Sequence, residues 1–350
     1  MEICKLAVQN PGPCNFPRAF DAHKHLKPCQ FRCFSSSDGK IYSSPVANRM
    51  FIFGVGFVGK FFAAQLKKEG WDISGTCQSI TKKKELENMG LETYLFNAES
   101  EDFKCLTSLQ DTSHLLISIP PILGLGDPLL GLHQDLLLSK LSNGNLQWLC
   151  YLSTTSVYGD SGGAWVDENY PVRASSESAK ARLAAEEGWL DLGYALGIPA
   201  YVFRLGGIYG PGRSALDTII KQQPLSKNQR KRDSTNYTSR IHVADICQAL
   251  TASMNRPSSS GVYNIVDDDP AARAEVFVFA KELVKEKWPS KIAENISSPV
   301  ATTLQKKDDL KGEKRVCNAL MKRALMINLL HPTYRSGLRS IAESLHNPFH

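Results

Sequence analysis

The chain has 350 residues, 42% hydrophobic and 22% charged, an ordinary globular composition that excludes a disordered or fibrous protein. Lysine and arginine outnumber aspartate and glutamate by 41 to 35, and most of this excess falls in residues 1–49, so charge gives no argument for nucleic-acid binding. The longest apolar stretch, 115–132, is interrupted by prolines and an aspartate. It predicts no membrane span, and we expect a soluble protein.

Residues 1–49 differ from the rest of the chain. They show no sustained apolar periodicity, few acids, scattered basic residues and a serine-rich end. This composition is typical of an organelle transit peptide and lacks the apolar core of a secretory signal. We expect import into the plastid stroma, with the mitochondrion as second choice and cleavage between Cys33 and Ser44. A disordered tail without a targeting function is the alternative.

From Met50 onward, apolar strands alternate with helical patterns. The first unit is an apolar run at 50–53, a glycine-rich turn and an amphipathic stretch at 58–68. The patterns predict further strands near 72–77, 91–96, 114–119, 147–153 and 200–206. They predict further helices at 82–89, 128–141 and 178–192. This alternation predicts an α/β fold with a doubly wound, mostly parallel Rossmann sheet covered by helices on both faces.

The second half of the chain has a looser pattern. We expect an NAD(P)-binding Rossmann domain over 50–210 and a smaller C-terminal substrate lobe over 211–350, some of whose elements return to the sheet. The lobe begins with a basic segment at 221–232. Its predicted elements lie at 242–254, 262–266, 271–287 and 317–330. The cysteines beyond residue 49 form no CxxC pair, so they predict reduced thiols and no metal site.

Gly54, Gly56 and Gly59 form a GxGxxG pattern between the first strand and the first helix. In such a pattern the first glycine permits a tight turn, the second lets the backbone approach a pyrophosphate, and the third lets helix and strand pack closely. The helix start, Phe57 and Val58, then directs its N–H groups at the phosphates. We predict dinucleotide binding here. A purely structural glycine turn is the alternative.

The end of the second strand indicates which cofactor binds. An NAD enzyme normally places an acid there on the ribose 2′-hydroxyl, but this chain has Thr76, Gln78 and Ser79. Asp72 lies at the other end of the strand, about 16 Å away at about 3.3 Å per residue. The absence of a carboxylate favours NADP over NAD. The lysines at 82–84 are interpreted as a solvated helix face.

Two later segments carry a family resemblance. Residues 153–159 read Ser-Thr-Thr-Ser-Val-Tyr-Gly, and residues 204–213 read Arg-Leu-Gly-Gly-Ile-Tyr-Gly-Pro-Gly-Arg. Together with GxGxxG they resemble the extended short-chain dehydrogenase/reductases of the NAD-dependent epimerase/dehydratase group. The resemblance extends through 240–245, 261–264 and 314–338, and so covers nearly everything after Met50. It implies a nicotinamide cofactor that also contacts Ser118 and Gly206, at the ends of two predicted strands.

In that family a Thr or Ser orients the substrate, and a Tyr four residues before a Lys moves the proton. The resemblance implies Thr154 for the first role, Thr155 as a neighbouring substrate contact and Lys180 for the lysine. Ser176 stands where the tyrosine is expected. A serine hydroxyl is far less acidic than a phenol, whose pKa is about 10, so it cannot move the same proton. The chain therefore resembles an atypical member without the Tyr–Lys pair.

Several side chains have two interpretations. Tyr170 is a candidate replacement proton donor, and Lys180 is either catalytic or a surface lysine. Arg213 either binds an anionic substrate group or caps a carbonyl in its loop. His242 and Asp245 are expected to hold the lobe together.

Two functions stay open. The first is an NADP-dependent oxidoreductase or epimerase/dehydratase-like enzyme on a small polar or nucleotide-linked substrate in the plastid. The second is a catalytically silent dinucleotide-binding sensor or scaffold, with the basic segment at 221–232 as a contact for RNA. In either case we expect no metal and no membrane, and leave a homodimer open.

Overall fold

The computed structural model describes residues 48–99, 102–174, 176–221, 237–289 and 313–345. The strands in these ranges are β1 (Arg49–Phe53), β2 (Asp72–Cys77), β3 (Glu92–Leu95), β4 (His114–Ile117), β5 (Trp148–Thr154), β6 (Trp165–Val166), β7 (Ala200–Leu205), β8 (Gly207–Tyr209), β9 (Arg240–His242), β10 (Gly261–Ile265) and β11 (Arg315–Val316). The helices are α1 (Phe57–Lys68), α2 (Ile80–Asn88), α3 (Pro128–Leu141), α4 (Glu177–Leu196), α5 (Ala215–Ile220), α6 (Val243–Met254), α7 (Arg273–Lys287), α8 (Ala319–Leu325) and α9 (Tyr334–Ser344).

The central sheet has seven strands in the order β10-β7-β5-β4-β1-β2-β3, and every pairing in it is parallel. Met50 of β1 lies opposite Ile73 on one side and His114 on the other. The chain first adds β2 and β3 on one side of β1 and then adds β4 and the later strands on the other side, so the switch point lies between β1 and β4. In doubly wound sheets this switch point opens a crevice at the carboxyl ends of the strands, where ligands bind. The predicted Rossmann sheet is confirmed.

Helices cover both faces of the sheet because its strands are apolar on both sides. β4 and β7 are buried at every residue. Phe62 of α1 and Leu250 of α6 are fully buried in the core on one face, and Leu137 of α3 and Trp189 of α4 in the core on the other. Burying one such side chain contributes roughly 1.5–3 kcal/mol. These two cores hold the carboxyl edge of the sheet in place.

Elements of the second half return to the sheet. β10 pairs with β7 along five residues, and α6 packs beside α1. The helices α5, α7 and α9 form a separate apolar cluster, with Leu216, Val276 and Leu338 buried in it. The short parallel pair β8–β9 lies beside this cluster, since β9 contacts α9. A second short pair joins β6 to β11. The second half thus both completes the sheet and builds a wall beside its carboxyl edge.

Many bounds differ from the sequence expectation by a few residues, and differences at β1, α8 and α9 show the local geometry involved. β1 begins at Arg49, one residue before the expected boundary, because the Arg49 N–H donates to the Ser113 hydroxyl at 2.9 Å. Within the element predicted over 317–330, helix α8 ends at Leu325, and Met326 after it adopts a left-handed φ of 52°. Helix α9 was not predicted. It begins with a capping box in which Ser336 takes the place of the usual Glu or Gln.

The expected transit peptide within residues 1–47 and the basic segment at 222–232 lie outside the described residues. Within the described ranges, no helix combines the length and the apolar character that crossing a membrane requires.

Candidate cofactor and active site

The glycine-rich turn after β1 is held by the neighbouring strand. Gly54 has a φ of 79°, and a Cβ there would lie 3.0 Å from Ile119 Cγ1, so only glycine fits without strain. Its N–H donates to the Thr76 hydroxyl at 2.8 Å, and the Val55 N–H donates to the Thr76 carbonyl at 2.8 Å. Thr76 is only 1% exposed. The Thr76 side chain therefore supports the turn from beneath.

The start of α1 is open. Gly56 is its N-cap residue and supplies no side-chain hydrogen bond to the first turn. A Cβ on Gly56 would meet nothing closer than the Gly54 carbonyl oxygen at 3.9 Å, so the space beside Gly56 is open among the described residues. The first N–H groups of a helix have no intrahelical acceptor and carry partial positive charge. This cradle fits the pyrophosphate of a dinucleotide.

Gly59 brings the helix onto the strand. A Cβ there would lie 3.2 Å from Ile52 Cγ2, tighter than an ordinary contact. Val58 beside it is buried. The third glycine therefore has the packing role that the pattern predicts.

The end of β2 carries hydroxyl and amide groups and no acid. Gln78 and Ser79 are exposed there, and the Ser79 hydroxyl accepts the Lys82 N–H at 3.3 Å as the N-cap of α2. Asp72 lies at the opposite end of the strand. A 2′-phosphate at this edge would therefore meet donors and no repelling carboxylate.

The lysines that follow are paired with glutamates. Lys60 and Lys82 both contact the Glu85 carboxylate, and Lys83 lies 3.7 Å from Glu87. The hydrogen bonds from Lys60 and Lys82 lower the pKa of Glu85. These are surface ion pairs of α1 and α2, which agrees with the interpretation of the lysine run as a solvated helix face.

Three more of the predicted residues lie at the same carboxyl edge. The Ser118 N–H donates to the Phe53 carbonyl at 2.9 Å, so Ser118 lies beside the glycine turn. Gly206 follows β7, and a Cβ there would lie 2.9 Å from the Ser239 carbonyl oxygen. Thr154 ends β5, half-buried, and its hydroxyl accepts the Ser156 N–H at 3.3 Å. Parallel strands thus bring these positions to one edge.

A buried polar network lies behind Thr154. The Arg204 guanidinium forms an ion pair with Glu186 at 2.7 Å, and both side chains are at most 7% exposed. Ser153 donates to the same carboxylate, and Arg204 also donates to the Tyr158 hydroxyl at 3.0 Å. The Tyr158 hydroxyl donates to Asn264 Oδ1 at 2.8 Å. This network joins α4, β5, β7 and β10, and it fixes the end of β5 that carries Thr154.

The start of α4 is closed by its own side chains. The Ser176 hydroxyl accepts the Ala179 N–H at 3.1 Å and is the N-cap of the helix. Lys180 donates to Glu177 at 2.9 Å, and its side chain is 60% exposed. This contact raises the pKa of Lys180. The geometry matches the alternative in which Lys180 is a surface lysine, and Ser176 has a capping role.

Arg182 was missed by the sequence analysis. It lies two residues after Lys180 and is half-buried. Burial raises the pKa of the Tyr151 hydroxyl, and the charge of Arg182 opposes that rise, so the guanidinium faces the buried strand β5. The inward position of Arg182 could be recognised only from the rotation of α4 on the sheet.

The tyrosines near the site are buried or half-buried. Tyr158 is fully buried, and burial raises the pKa of its phenol. Tyr209 is 8% exposed. Tyr170 is half-buried and packs edge-on against Tyr158, with ring centroids 6.5 Å apart. Thr155, the other expected substrate contact, is 9% exposed and begins the turn that leads to Tyr158.

Arg213, the last residue of the segment 204–213, lies against the start of α1, which follows the glycine turn. Its guanidinium carbon lies 5.3 Å from the centre of the Phe57 ring at the start of α1.

His242 and Asp245 have structural roles, as expected. His242 Nδ1 accepts the Ala244 N–H at 3.2 Å, and the Asp245 carboxylate accepts the Leu330 N–H at 2.5 Å. Among the described side chains, no group of three or more His, Cys, Asp or Glu is placed to hold a metal ion.

Comparison with known proteins agrees with this architecture. Residues 132–266 match the model of the NAD dependent epimerase/dehydratase family. A conserved protein of unknown function from Silicibacter pomeroyi is 32% identical with a TM-score of 0.67, over 85% of this chain and 99% of that chain. Protein YeeZ of Escherichia coli K12 is 28% identical over 219 residues, 61% of this chain and 76% of YeeZ.

Enzymes with solved structures share the fold at lower identity. UDP-glucuronic acid 4-epimerase of Bacillus cereus, solved with NAD, is 17% identical with a TM-score of 0.63, over 84% of this chain and 98% of that chain. dTDP-glucose 4,6-dehydratase of Bacillus anthracis, also solved with NAD, is 17% identical with a TM-score of 0.64, over 85% of this chain and 96% of that chain.

The class defined by fold and site is the NAD(P)-binding Rossmann proteins. Within that class the chain belongs to the extended, epimerase/dehydratase-like short-chain dehydrogenase/reductases.

Proposed function

We propose that the protein binds NADP(H) in preference to NAD(H) and acts on a small polar substrate as an oxidoreductase or epimerase/dehydratase-like enzyme. The observation that carries this proposal is the open start of α1 beside a strand end without a carboxylate. The first feature provides N–H donors for the pyrophosphate. The second provides Gln78 and Ser79 where a 2′-phosphate would lie.

The residues at the carboxyl edge of the sheet would have different roles in such a site. NADP(H) supplies the hydride chemistry when bound. The Thr154 hydroxyl is placed to hydrogen-bond a substrate oxygen, and the buried Glu186–Arg204 network keeps its strand from shifting. Arg213, stacked on Phe57, brings a positive charge next to the cofactor turn. Proton transfer requires a donor other than Ser176, and half-buried Tyr170 is the candidate phenol.

Calorimetry on the full chain tests the cofactor proposal. We expect NADPH to bind at least about tenfold more tightly than NADH, because a 2′-phosphate gains charge-assisted hydrogen bonds that a 2′-hydroxyl does not. Tighter binding of NADH would contradict the proposal. Soaking the purified protein with NADP(H) and a metabolite extract, followed by identification of what co-purifies, would then name the substrate.

A silent dinucleotide sensor or scaffold is the second candidate function. It is favoured by the start of α4, where Ser176 caps the helix and Lys180 is paired at the surface. The two functions differ in one observable, the conversion of a metabolite. Incubation with NADP(H) and a metabolite extract should deplete one metabolite and form a product if the protein is an enzyme. A net change in nicotinamide absorbance would then indicate an oxidoreductase, whereas an epimerase or dehydratase returns the hydride and leaves the absorbance unchanged. Tight binding without conversion of any metabolite would favour the sensor.

We propose the plastid stroma as the location, from the composition of residues 1–49. A fluorescent fusion of this segment should enter plastids, while the chain without it stays in the cytosol. Cytosolic fluorescence of both fusions would contradict the proposal, and mitochondrial fluorescence would select the second choice.

A further inference from the structure

A cavity of about 330 Å³ lies between the strand pair β8–β9 and the helices α5, α7 and α9. Its lining among the described residues includes four cationic side chains, Arg213, Lys221, Arg240 and Arg273, and one carboxylate, Asp217. Ser214 donates to that carboxylate at 2.5 Å. The cavity wall therefore carries a clear excess of positive charge, which favours an anionic occupant.

Two of the arginines are fixed before any ligand arrives. Arg240 is 9% exposed, and its Nη1 donates to the Thr238 carbonyl at 2.7 Å and to the Ala271 carbonyl at 2.8 Å. The Arg273 guanidinium carbon lies 4.3 Å from the centre of the Phe277 ring. Guanidinium groups held in this way lose little freedom when they bind an anion. The cationic wall is thus preorganised.

A buried hydroxyl adds an independent sign of a ligand. Tyr334 lines the cavity and is 1% exposed, yet its hydroxyl has no hydrogen-bond partner among the residues that the structure describes. A buried hydroxyl without a partner is unfavourable, and an oxygen of a bound molecule would satisfy it. The hydroxyl and the arginines are donors, so the matching group on the ligand is an acceptor.

We propose that this cavity binds the anionic group of a small molecule, a phosphate or a carboxylate, through Arg240, Arg273 and the Tyr334 hydroxyl. The proposal rests on the proposed function, because Arg213 both lines the cavity and stacks on Phe57 at the cofactor turn. It narrows the substrate class to small anions. The volume lies near the lower end of the roughly 300–1,000 Å³ of ligand pockets, which favours a small acid over a nucleotide-linked sugar.

Calorimetry on the full chain without NADP(H) measures anion binding, and the cavity variants separate binding in this cavity from binding at the open start of α1. Inorganic phosphate and acetate serve as probes at matched ionic strength. We expect Arg273→Gln to weaken the binding of the preferred probe at least about tenfold, because a charge-assisted contact is lost. Tyr334→Phe should weaken it about three- to tenfold, since it removes one hydroxyl donor and keeps the packed ring.

Matched controls carry the same substitutions outside the cavity. Arg323→Gln changes an exposed arginine of α8, and Tyr194→Phe changes a tyrosine that is 90% exposed on α4. Neither residue lines the cavity. Both controls should bind the probe like the unchanged chain. Their thermal unfolding and that of the cavity variants show that all four proteins are folded.

The outcomes separate the two proposals. Tighter binding of phosphate assigns a phosphomonoester, and tighter binding of acetate assigns a carboxylate. Failure of both probes to bind, or equal weakening in the cavity variants and the controls, overturns the anion site. NADPH affinity is measured separately on the same variants. Retained NADPH binding with no anion binding therefore leaves the cofactor proposal intact and rejects only this inference.

Discussion

The helices α1 and α4 both pack against the central sheet, and their first turns are built in opposite ways. α1 begins at Gly56, which supplies no side-chain cap and leaves space before the first N–H groups. α4 begins at Ser176, whose hydroxyl accepts an N–H of the first turn, and its Glu177 and Lys180 pair at the surface. An open helix start can hold a phosphate, whereas a capped start carrying its own carboxylate cannot.

This difference separates binding from proton transfer. At the glycine turn, to which the family resemblance assigns the dinucleotide, the Thr76 hydroxyl holds the backbone from beneath. The region where the family resemblance implies a Tyr–Lys pair is an ordinary solvated helix start. We therefore expect substitutions at α1 to change cofactor affinity and substitutions at the start of α4 to change only stability.

The largest expected effect is the difference in the free energy of unfolding between a substitution in the buried middle of α4 and one at its exposed start. Glu186→Gln should lower the free energy of unfolding by about 3–5 kcal/mol, because it leaves the buried Arg204 charge uncompensated. Glu177→Gln, which breaks an exposed pair of the same helix, should cost less than about 1 kcal/mol. Denaturant titration measures both. Equal losses would show that the exposed start is as important to the fold as the buried pair.

Gly56→Val should abolish cofactor binding while the fold is retained. The backbone there has a φ of −85° and a Cβ has 3.9 Å of clearance, so the free protein tolerates the side chain. The same side chain would occupy the space of the pyrophosphate, and NADPH affinity should fall at least about 100-fold. Gly131→Val in α3, where a Cβ would meet only the Leu125 carbonyl at 3.6 Å, is the matched control. Calorimetry that finds NADPH binding retained in Gly56→Val would move the site away from α1.

Ser79→Asp should reverse the cofactor preference without disturbing α2, because aspartate is as good an N-cap as serine. Its carboxylate would repel a 2′-phosphate and accept a bond from a 2′-hydroxyl, so NADPH affinity should fall about tenfold or more. Ser79→Asn keeps the cap without the charge and should keep the preference for NADPH. If both variants bind NADPH like the unchanged chain, the 2′-phosphate lies elsewhere.

The smallest effect concerns Ser176. Ser176→Ala should lower the free energy of unfolding by about 1 kcal/mol, because it removes the N-cap hydrogen bond of α4. NADPH affinity should not change. Ser178→Ala, on the exposed side of the same turn, is the control and should be near neutral in stability. Once a substrate is known, a loss of turnover of about 100-fold or more in Ser176→Ala, the range of a general acid or base, would contradict the capping role.

Local patterns were sufficient for the sheet and for the glycine turn. The bounds of β2 and α3 match the predicted 72–77 and 128–141, because apolar runs and helical spacing repeat along the chain itself. The GxGxxG pattern is likewise a local signal in the sequence, although Gly54 is constrained by Ile119 and Gly59 by Ile52. Helix α9 was missed although Tyr334, Leu338 and Ile341 recur at helical spacing and form its buried face.

The fold class, the dinucleotide turn and the absence of a tyrosine at Ser176 follow from the sequence, because they depend on residue type and on short spacing. Which polar side chains face one another depends on the tertiary structure. Glu186 meets Arg204 across two elements, and Arg240, Arg273 and Tyr334 meet in one cavity from segments far apart in the chain. The physical reason is that such contacts depend on how helices rotate against the sheet. No local pattern records that rotation, so burial and charge at these sites become visible only after the chain has folded.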